Sequence, residues 1–527
     1  MDEFWKKDAV GYQIYIRSFA DSNNDGIGDL RGIINKLDYI AELGANFIWI
    51  TPFYDSPMVD NGYDIRNYYL VDESYGTNED LQELIKTAHE KGIKIVIDLV
   101  MNHTSDECEW FIKSKNRISP YKDFYYWMDG NIVNGTMVPP NNWQSCFSGT
   151  AWKYCEERNQ YYLRLFAEKM PDINYESPTA MKEMQKVIEY YGKMGVDGFR
   201  VDAISHIGKD LSFKNAKDET KSYKLFSNLP RTHKYLQTFN QSFAKYNLVT
   251  MGELGGNPSK RDLLKYTTKQ ELDMVFSFEQ QGVFTDVHTI DRKKLFQTLK
   301  TKNTLSEKLG WSVVFWNNHD YPRLMSRVKG ERNHRNAYLC LSTLMYMLKG
   351  TPMIYNGEEL GIDNYEFHTI DDFKDIDAKM EYENASNKFR KLKELRDRSR
   401  DNARTIMPWN TTKNTGFSRH KPWFHVIDDE RVCVENELAD EKSILNEYRK
   451  ILNTRKQLAQ EIRYGKYQFI YKKGLIGYII KHGNNKYVVY ANLSDDSVPL
   501  ECSEVLYSNV KINNNLMKPY CVAVAKM

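Results

Sequence analysis

Three acidic residues stand at the carboxyl ends of short apolar runs that predict β-strands: Asp202, Glu253 and Asp320. Where strands run parallel around a barrel, their carboxyl ends meet at one mouth, so these side chains are predicted to lie together. Three carboxylates in one mouth can serve as a nucleophile, a proton donor and a stabiliser of developing positive charge. That combination suits the cleavage of a glycosidic bond.

Neighbouring residues strengthen this interpretation. Arg200 lies two positions before Asp202, on the same face of the predicted strand, where it can hydrogen-bond the carboxylate and keep it ionised. A structural ion pair at a strand end is the alternative. Glu253 precedes Leu254, an apolar side chain that can help to raise the pKa of a general acid. The segment 98–103 ends with Asn102 and His103; alone, it could equally be a polar strand cap.

The elements that must position these residues are eight apolar runs separated by helical patterns. Together they predict an α/β protein with a (β/α)8 barrel. The predicted strands are 12–17, 45–51, 93–100, 196–201, 248–253, 273–278, 311–317 and 353–357. The predicted helices are 30–43, 78–91, 179–193, 232–246, 293–302 and 336–349.

Two long segments interrupt the alternation of strands and helices. We expect 1–103 and 172–459 to form the barrel, and 104–171, which is aromatic and polar, to be a domain inserted after the third strand. The segment 362–430 is too long for an ordinary connection and is expected over the barrel mouth, with a charged helix at 382–400. Short alternating runs predict a small antiparallel β-sandwich domain at 460–527.

Composition excludes several classes of function. With 73 basic and 71 acidic residues, the net charge of +2 argues against a nucleic acid or an anionic membrane as partner. Seven cysteines without a CxxC pair disfavour a zinc site or a disulfide framework. The chain has no apolar run of about 18 residues and starts without a signal peptide. We therefore expect a cytoplasmic, monomeric protein that acts on small oligosaccharides and has no organic cofactor.

The loop that begins at Asp21 resembles the first nine positions of an EF-hand, with oxygen-bearing side chains at alternate positions and glycine at the sixth. The glutamate that closes an EF-hand is missing, because position 12 is Gly32. The loop predicts one structural cation, Ca²⁺ or Mg²⁺; a polar turn that caps the next helix is the alternative. The predicted ligands are Asp21, Asn23, Asp25, the Ile27 carbonyl and Asp29.

Taken in order, these motifs resemble the α-amylase superfamily of glycoside hydrolases (family 13), in its oligo-1,6-glucosidase and α-glucosidase branch. The resemblance covers nearly the whole chain. It rests on the segments 44–52, 98–103, 170–174, 198–202, 319–320 and 350–359, together with Glu253.

The resemblance implies that Asp202 is the nucleophile, Glu253 the acid/base and Asp320 the stabiliser of the transition state. It implies that Tyr63 stacks on the terminal glucose and that Asp64 binds its 4-hydroxyl. An ion pair between Asp64 and Arg404 would then close the pocket and favour release of single glucose units. The further substrate-binding residues it implies are His103, Phe166, Arg200, Ala203 and His319.

The chain departs from the branch at several positions. Met170 stands where the branch usually has Gln, and Arg404-Thr405-Ile406-Met407-Pro408-Trp409 replaces a common Arg-Thr-Pro-Met-Gln-Trp. Position 203 is usually Val in similar enzymes that prefer α-1,6 bonds, and here it is Ala. The smaller side chain favours α-1,4 bonds, although such differences are worth only about 1–3 kcal/mol.

The sequence thus predicts a retaining, exo-acting α-glucosidase that hydrolyses maltose and short oligosaccharides. Its two central carboxylates should lie about 5–5.5 Å apart. The alternatives are an oligo-1,6-glucosidase and a glucosyl-transfer enzyme such as trehalose synthase, sucrose isomerase or amylosucrase. A trehalose-6-phosphate hydrolase would need a basic phosphate site that the sequence does not reveal. Amino-acid transporter heavy chains resemble the fold too, but they carry a membrane helix.

Overall fold

A computed structural model describes residues 5–527 except 257, 268–269, 309, 428, 430 and 473. Its centre is a sheet of eight parallel strands in the order β6-β5-β4-β3-β2-β1-β8-β7. A parallel bridge between Val275 and Ser312 joins β6 to the start of β7 and closes the sheet into the predicted barrel. The strands are β1 Gly11–Ile14, β2 Phe47–Ile50, β3 Lys94–Val100, β4 Gly198–Asp202, β5 Val249–Glu253, β6 Met274–Phe276, β7 Val313–Val314 and β8 Thr351–Tyr355.

A helix follows each strand and packs outside the barrel. In the second of these helices, Leu81, Leu84, Ile85 and Ala88 form one buried stripe, and Thr77 caps its first turn. The barrel helices are α1 Leu37–Leu43, α2 Asn78–Glu90, α3 Pro178–Met194, α4 Pro230–Lys245, α5 Lys260–Tyr266, α6 Arg292–Lys308, α7 His334–Tyr346 and α8 Ile444–Gln457. Shorter helices are Trp5–Asp8, Ile16–Phe19, Leu30–Ile34, Glu109–Ser114, Leu324–Arg327, Val434–Ala439 and Ala459–Tyr464.

Some predicted elements of the barrel differ in extent from the observed ones. The helix expected over 30–43 is divided between Leu30–Ile34 and α1. The strand expected over 311–317 is observed only as the two residues of β7, Val313 and Val314, which pair with Thr351 and Pro352 of β8.

The segment after β3 folds into a small sheet over the barrel mouth. Its strands, in spatial order, are Trp127–Met128, Gln160–Leu163 and Trp152–Cys155, and a hairpin, Asn131–Val133 with Thr136–Val138, extends from it. The Lys209 ammonium lies 2.6 Å from the Asp172 carboxylate, and both side chains are fully buried. The same ammonium donates to Asn102 at 2.9 Å, so this ion pair joins the end of the segment to the end of β3.

The long segment after β8 is built around aromatic side chains. Phe367, Phe373, Phe417 and Phe424 are buried in one cluster. The charged helix expected at 382–400 is two helices, Ile376–Asn384 and Lys388–Arg398, the second capped by Asn387. This packing places Arg398, the last residue of the second helix, and Arg400, two residues beyond it, at the barrel mouth.

The last part of the chain is an antiparallel sheet in the order β9-β10-β11-β13-β12. One face packs on the barrel through α7, and the other covers a second apolar cluster around Val488, Leu500 and Met517. No helix within the described residues has the length and apolarity needed to cross a bilayer. Residues 1–4, part of the start predicted to lack a signal peptide, lie outside the described residues. The strands are β9 Lys466–Lys472, β10 Leu475–His482, β11 Asn485–Asn492, β12 Glu504–Ser508 and β13 Cys521–Lys526.

Candidate active site

The three carboxylates singled out in the sequence line one cavity at the carboxyl ends of the barrel strands. Asp202 is the last residue of β4, Glu253 is the last residue of β5, and Asp320 follows β7. The cavity has a volume of about 950 Å³. Its position at this face of the barrel is where catalytic residues collect in such folds.

One buried guanidinium joins three carboxylates. Arg200 Nη1 lies 2.6 Å from Asp202 Oδ1 and 2.8 Å from Asp98 Oδ1, while its Nη2 lies 2.8 Å from Glu253 Oε2. The predicted contact between Arg200 and Asp202 is present. The contacts with Asp98 and Glu253 were not predicted, because they join strands that are distant in sequence. Because Asp202 and Glu253 contact the two terminal nitrogens of one group, their carboxylates are held side by side.

Burial and like charges set the protonation of this cluster. Burial raises the pKa of Asp202 well above its ordinary value; Arg200 opposes the rise and Glu253 reinforces it. Burial also raises the pKa of Asp98, to about 6, against the effect of Arg200. Buried carboxylates that outnumber their cation favour the binding of a proton among them at neutral pH. A general acid requires such a proton.

Asp320 has a different environment. Burial alone would raise its pKa, but His319, Arg400 and Arg404 lower it to about 2. Its carboxylate lies 3.2 Å from His319 Nε2, 3.4 Å from Arg404 Nη2 and 3.7 Å from Arg400 Nη1. Asp320 is therefore a fixed negative charge, suited to stabilising a cationic sugar rather than to proton transfer.

Tyr63 and His319 form the floor beside these carboxylates. Their rings stack with centroids 5.3 Å apart and planes inclined by 4°. The Tyr63 hydroxyl lies 2.8 Å from His319 Nε2 and 3.1 Å from Asp98 Oδ2. Both residues line the cavity, and the contact of Tyr63 with a sugar ring stays a prediction.

The predicted ion pair between Asp64 and Arg404 is wrong. Asp64 is fully buried, and its carboxylate accepts from the backbone N–H groups of Val59 and Asp60 at 2.8 and 2.9 Å. Arg404 donates instead to the carbonyl oxygen of His319 at 3.2 Å. Neither Asp64 nor Arg404 is among the residues that line the cavity.

The ion pair that closes the cavity joins Asp60 to Arg400. Their side chains meet at 3.0 Å, and Arg400 also binds Asp375 at 2.5 Å. The sequence analysis did not identify Asp60 or Arg400. Asp60 and Asp64 both lie close to Tyr63, and Arg400 and Arg404 are only four positions apart, so the sequence alone does not show which pair meets. The sequence Asp60-Asn61-Gly62 is typical of a turn, and Asn61 and Gly62 both adopt left-handed conformations. After this turn the Asp64 carboxylate accepts hydrogen bonds from the backbone of Val59 and Asp60 and does not face the cavity.

Three further predicted residues line the opposite side of the cavity: His103, Phe166 and Ala203. The rings of His103 and Phe166 lie 5.0 Å apart, and His103 Nε2 is a buried nitrogen without a partner among the described residues. Burial lowers the pKa of His103 to about 4, so it is neutral at physiological pH. Ala203 adopts a left-handed conformation with φ of 44°, and its N–H donates to Glu253 Oε2 at 3.1 Å.

Comparison with known proteins agrees with this geometry. Residues 13–465 match the family described as "Alpha amylase, catalytic domain". The chain is also 37% identical to an oligo-1,6-glucosidase from Bacillus cereus over the full length of both proteins. The chain belongs to the α-amylase family, glycoside hydrolase family 13.

Solved structures of other family-13 enzymes superpose on nearly the whole chain. A trehalose-6-phosphate hydrolase from Bacillus licheniformis has a TM-score of 0.91 at 36% identity, with 99% of each chain covered. The trehalulose synthase from Pseudomonas mesoacidophila has a TM-score of 0.92 at 33% identity, also with 99% of each chain covered. This family-13 member is therefore a glycoside hydrolase on a (β/α)8 barrel whose relatives differ in substrate and product.

The predicted cation loop of this family-13 chain is held by its own hydrogen bonds. Asp21 accepts from the N–H groups of Asn24 and Gly26 at 2.6 and 2.9 Å. Asp29 caps the next helix through Gly32 N–H at 2.6 Å, and its other oxygen accepts from Ser22. Across the described residues, no group of three acidic, histidine or cysteine side chains is arranged for a metal ion. The cation site of Asp21, Asn23, Asp25, the Ile27 carbonyl and Asp29 stays a prediction.

A second cavity, of about 1070 Å³, lies at the opposite end of the barrel, where β1, β2 and β3 begin. Two of its cations are already paired, Lys91 with Asp38 at 2.5 Å and Lys450 with Glu447 at 2.8 Å. It is larger than the cavity around Asp202, but that cavity alone holds the carboxylates aligned on Arg200. The candidate active site is therefore the cavity at the carboxyl ends of the barrel strands.

Proposed function

We propose that this enzyme is a retaining, exo-acting α-glucosidase that removes the terminal glucose from short α-1,6-linked oligosaccharides such as isomaltose. The observation that carries the exo action is the ion pair between Asp60 and Arg400, which walls the cavity beside Asp320. With that wall in place, one terminal sugar fits beyond the reacting bond. The remainder of the substrate must extend toward the entrance.

The proposed reaction is a double displacement. Asp202 attacks the anomeric carbon while Glu253 gives its proton to the glycosidic oxygen, so the glycosidic bond breaks and a β-glucosyl ester forms. Glu253 then takes a proton from water, whose oxygen displaces Asp202 and releases α-glucose. The double-displacement mechanism requires an anionic Asp202 and a protonated acid/base residue, Glu253. Arg200 Nη1, 2.6 Å from Asp202 Oδ1, opposes the rise in the pKa of Asp202 that burial causes and so favours its anionic form. Asp320 and His319 bind sugar hydroxyls and stabilise the charge that develops on the ring.

The relatives support the α-1,6 linkage better than the expected α-1,4 linkage. The α-1,4 expectation rested on the small side chain of Ala203 alone. In the folded chain Ala203 also supplies a backbone N–H to Glu253, a role independent of side-chain size. The oligo-1,6-glucosidase relative matches along its entire length, so isomaltose is the better first substrate.

The cavity entrance argues against a phosphorylated substrate. Besides Asp60 and the three catalytic carboxylates, four further acidic residues line this cavity: Asp286, Asp377, Glu394 and Asp397. Its described lining includes three arginines but no lysine. Each arginine is already engaged, Arg327 with the Gln281 carbonyl, Arg398 with Glu394 and Arg400 with Asp60. A phosphate on the leaving sugar would meet negative charge without a free cation.

The test is a comparison of initial rates of glucose release from isomaltose, maltose, sucrose, trehalose and trehalose 6-phosphate, with chromatography of all products. We expect isomaltose to be cleaved fastest and trehalose 6-phosphate to be left intact. Faster cleavage of maltose would restore the α-1,4 expectation. Conversion of sucrose into an isomeric disaccharide would instead assign the enzyme to glucosyl transfer. Asp202→Asn, which keeps the shape of the side chain, is the inactive control.

Three features that accompany this proposal remain predictions from the sequence: a cytoplasmic location, a monomeric state and the structural cation. Melting curves with Ca²⁺ and with a chelator test the last of these. An unchanged melting temperature would show that the protein binds no structural cation.

A further inference from the structure

Gln13, in the middle of β1, contacts His319 of the active site from within the barrel and does not line the cavity itself. Its side chain is fully buried, and its Nε2 lies 2.8 Å from His319 Nδ1. The opposite ring nitrogen, Nε2, faces Tyr63 at 2.8 Å and Asp320 at 3.2 Å. His319 therefore has a polar neighbour at each nitrogen, and the placement of its proton determines what it offers to a sugar.

His319 is neutral. Burial lowers its pKa to about 3, opposed by Asp320 and reinforced by Arg200, Arg404 and Arg400. A neutral imidazole carries one N–H, at Nδ1 or at Nε2. The ring is surrounded by the titratable or charged side chains of Tyr15, Tyr63, Arg200, Asp320, Arg400 and Arg404.

The surrounding groups require the proton at Nε2. Asp320, which is ionised, only accepts hydrogen bonds, so a bare Nε2 at 3.2 Å would place two acceptors against each other. Asp98 Oδ2 already accepts from the Trp49 indole N–H at 3.0 Å, and it also accepts the hydroxyl proton of Tyr63 at 3.1 Å. The oxygen of Tyr63 is then free to accept from His319 Nε2–H.

The remaining ring nitrogen, Nδ1, is then bare and needs a donor. We propose that Gln13 is a positioning residue that donates to Nδ1 and so holds His319 in the tautomer whose Nε2–H faces the sugar site. In this tautomer His319 donates a hydrogen bond beside Asp320; in the other it would present a lone pair there. This inference rests on the proposed function in one respect: it assumes that the sugar binds in the cavity lined by Asp202, Glu253 and Asp320.

Two matched variants separate tautomer control from packing. Gln13→Glu keeps the shape but replaces a donor by an acceptor at neutral pH, and Gln13→Met keeps the approximate volume with no strong hydrogen bond. We expect kcat to fall about 10–100-fold for Gln13→Glu at pH 8, the range typical for loss of a hydrogen-bond partner that orients a metal-binding histidine. Gln13→Met should lose less, because Asp320 still favours a proton at Nε2.

The pH profile supplies a readout that packing would not move. One proton taken up between Glu at position 13 and His319 restores the Nε2–H, whichever of the two binds it. The rate of Gln13→Glu relative to wild type should therefore rise as pH falls from 8 to 5, while that of Gln13→Met stays flat. Because wild type is measured at every pH, titration of the other groups around His319 cancels. Equal, pH-independent losses in both variants would overturn the inference.

A measurement on the wild-type enzyme covers the case in which Gln13→Glu does not fold. In ¹⁵N spectra of histidine-labelled protein, with the His319 signals identified by a His319→Asn variant, we expect a protonated Nε2 and a non-protonated Nδ1. A protonated Nδ1 would overturn the inference. The NMR measurement needs no turnover, so its result does not depend on whether isomaltose is the substrate. The rates of the variants can be measured with any glucoside that the wild-type enzyme cleaves.

Discussion

Arg400 holds two carboxylates at once and therefore limits the depth of the pocket. Its guanidinium joins Asp60 and Asp375, whose side chains are 6% and 3% exposed, while that of Arg400 is 17% exposed. We expect Arg400→Lys to lower kcat/KM at least about 30-fold, since breaking a buried, hydrogen-bonded charge pair costs roughly 2–5 kcal/mol. Lysine keeps the charge but cannot bind both carboxylates with one planar group.

Arg398 is the matched control for this substitution. It lies two residues away, also lines the cavity, and pairs with Glu394 at 2.7 Å, but its side chain is 43% exposed. Arg398→Lys should change kcat/KM by no more than about twofold, as exposed ion pairs are worth little. Similar rates for Arg400→Lys and wild type would show that the Asp60 wall does not shape the substrate site.

At the residue scale, the sequence predicts contacts within one strand better than contacts between loops. Arg200 and Asp202 share a strand face at a spacing of two, and their ion pair follows from that spacing. Asp60 and Arg400 are separated by 340 positions, and only the folded loops decide between Asp60 and Asp64. Local geometry was accessible from sequence, whereas long-range pairing was not.

At the scale of elements, all eight strands could be located from apolar runs, but their ends could not. The strand predicted over seven residues, 311–317, is only two residues long in the structure. The charged segment near 390 divides into two helices because Asn387 starts a new one. Propensity and periodicity thus find an element, while caps and ladder partners set its length.

The short helix Val434–Ala439 carries a titratable group far from the cavity. Glu437 is 7% exposed and accepts from the Leu445 N–H at 2.9 Å, and burial raises its pKa to about 8. In the folded state it keeps a proton that the unfolded chain releases near pH 4.5. Its contribution to stability is therefore present below that pH and is lost as pH rises toward 8.

Glu437→Gln removes this titration. Relative to wild type, its melting temperature should improve steadily between pH 5 and pH 8, with kcat unchanged. Glu435→Gln, at an exposed position of the same helix, is the control and should show no such trend. A difference between Glu437→Gln and wild type that is constant with pH would mean that Glu437 is ionised throughout.

At the scale of the whole molecule, three parts of the chain build one pocket. The barrel supplies Asp202 and Glu253, the segment inserted after β3 supplies Phe166, and the segment after β8 supplies Arg400. The buried pair of Lys209 and Asp172 ties the inserted segment to the barrel. The order of these parts could be predicted from motifs, but the way in which they close over the pocket depends on packing between distant segments.

The central claim is that cleavage proceeds by double displacement through Asp202, so the configuration of the released sugar tests it most directly. Glucose released from isomaltose is followed by ¹H NMR within the first turnovers, before its anomers equilibrate. We predict that α-glucose appears first and that the β anomer grows only at the rate of spontaneous mutarotation. Early accumulation of β-glucose would mean inversion, and it would contradict both the roles of Asp202 and Glu253 and the placement of their carboxylates side by side on Arg200.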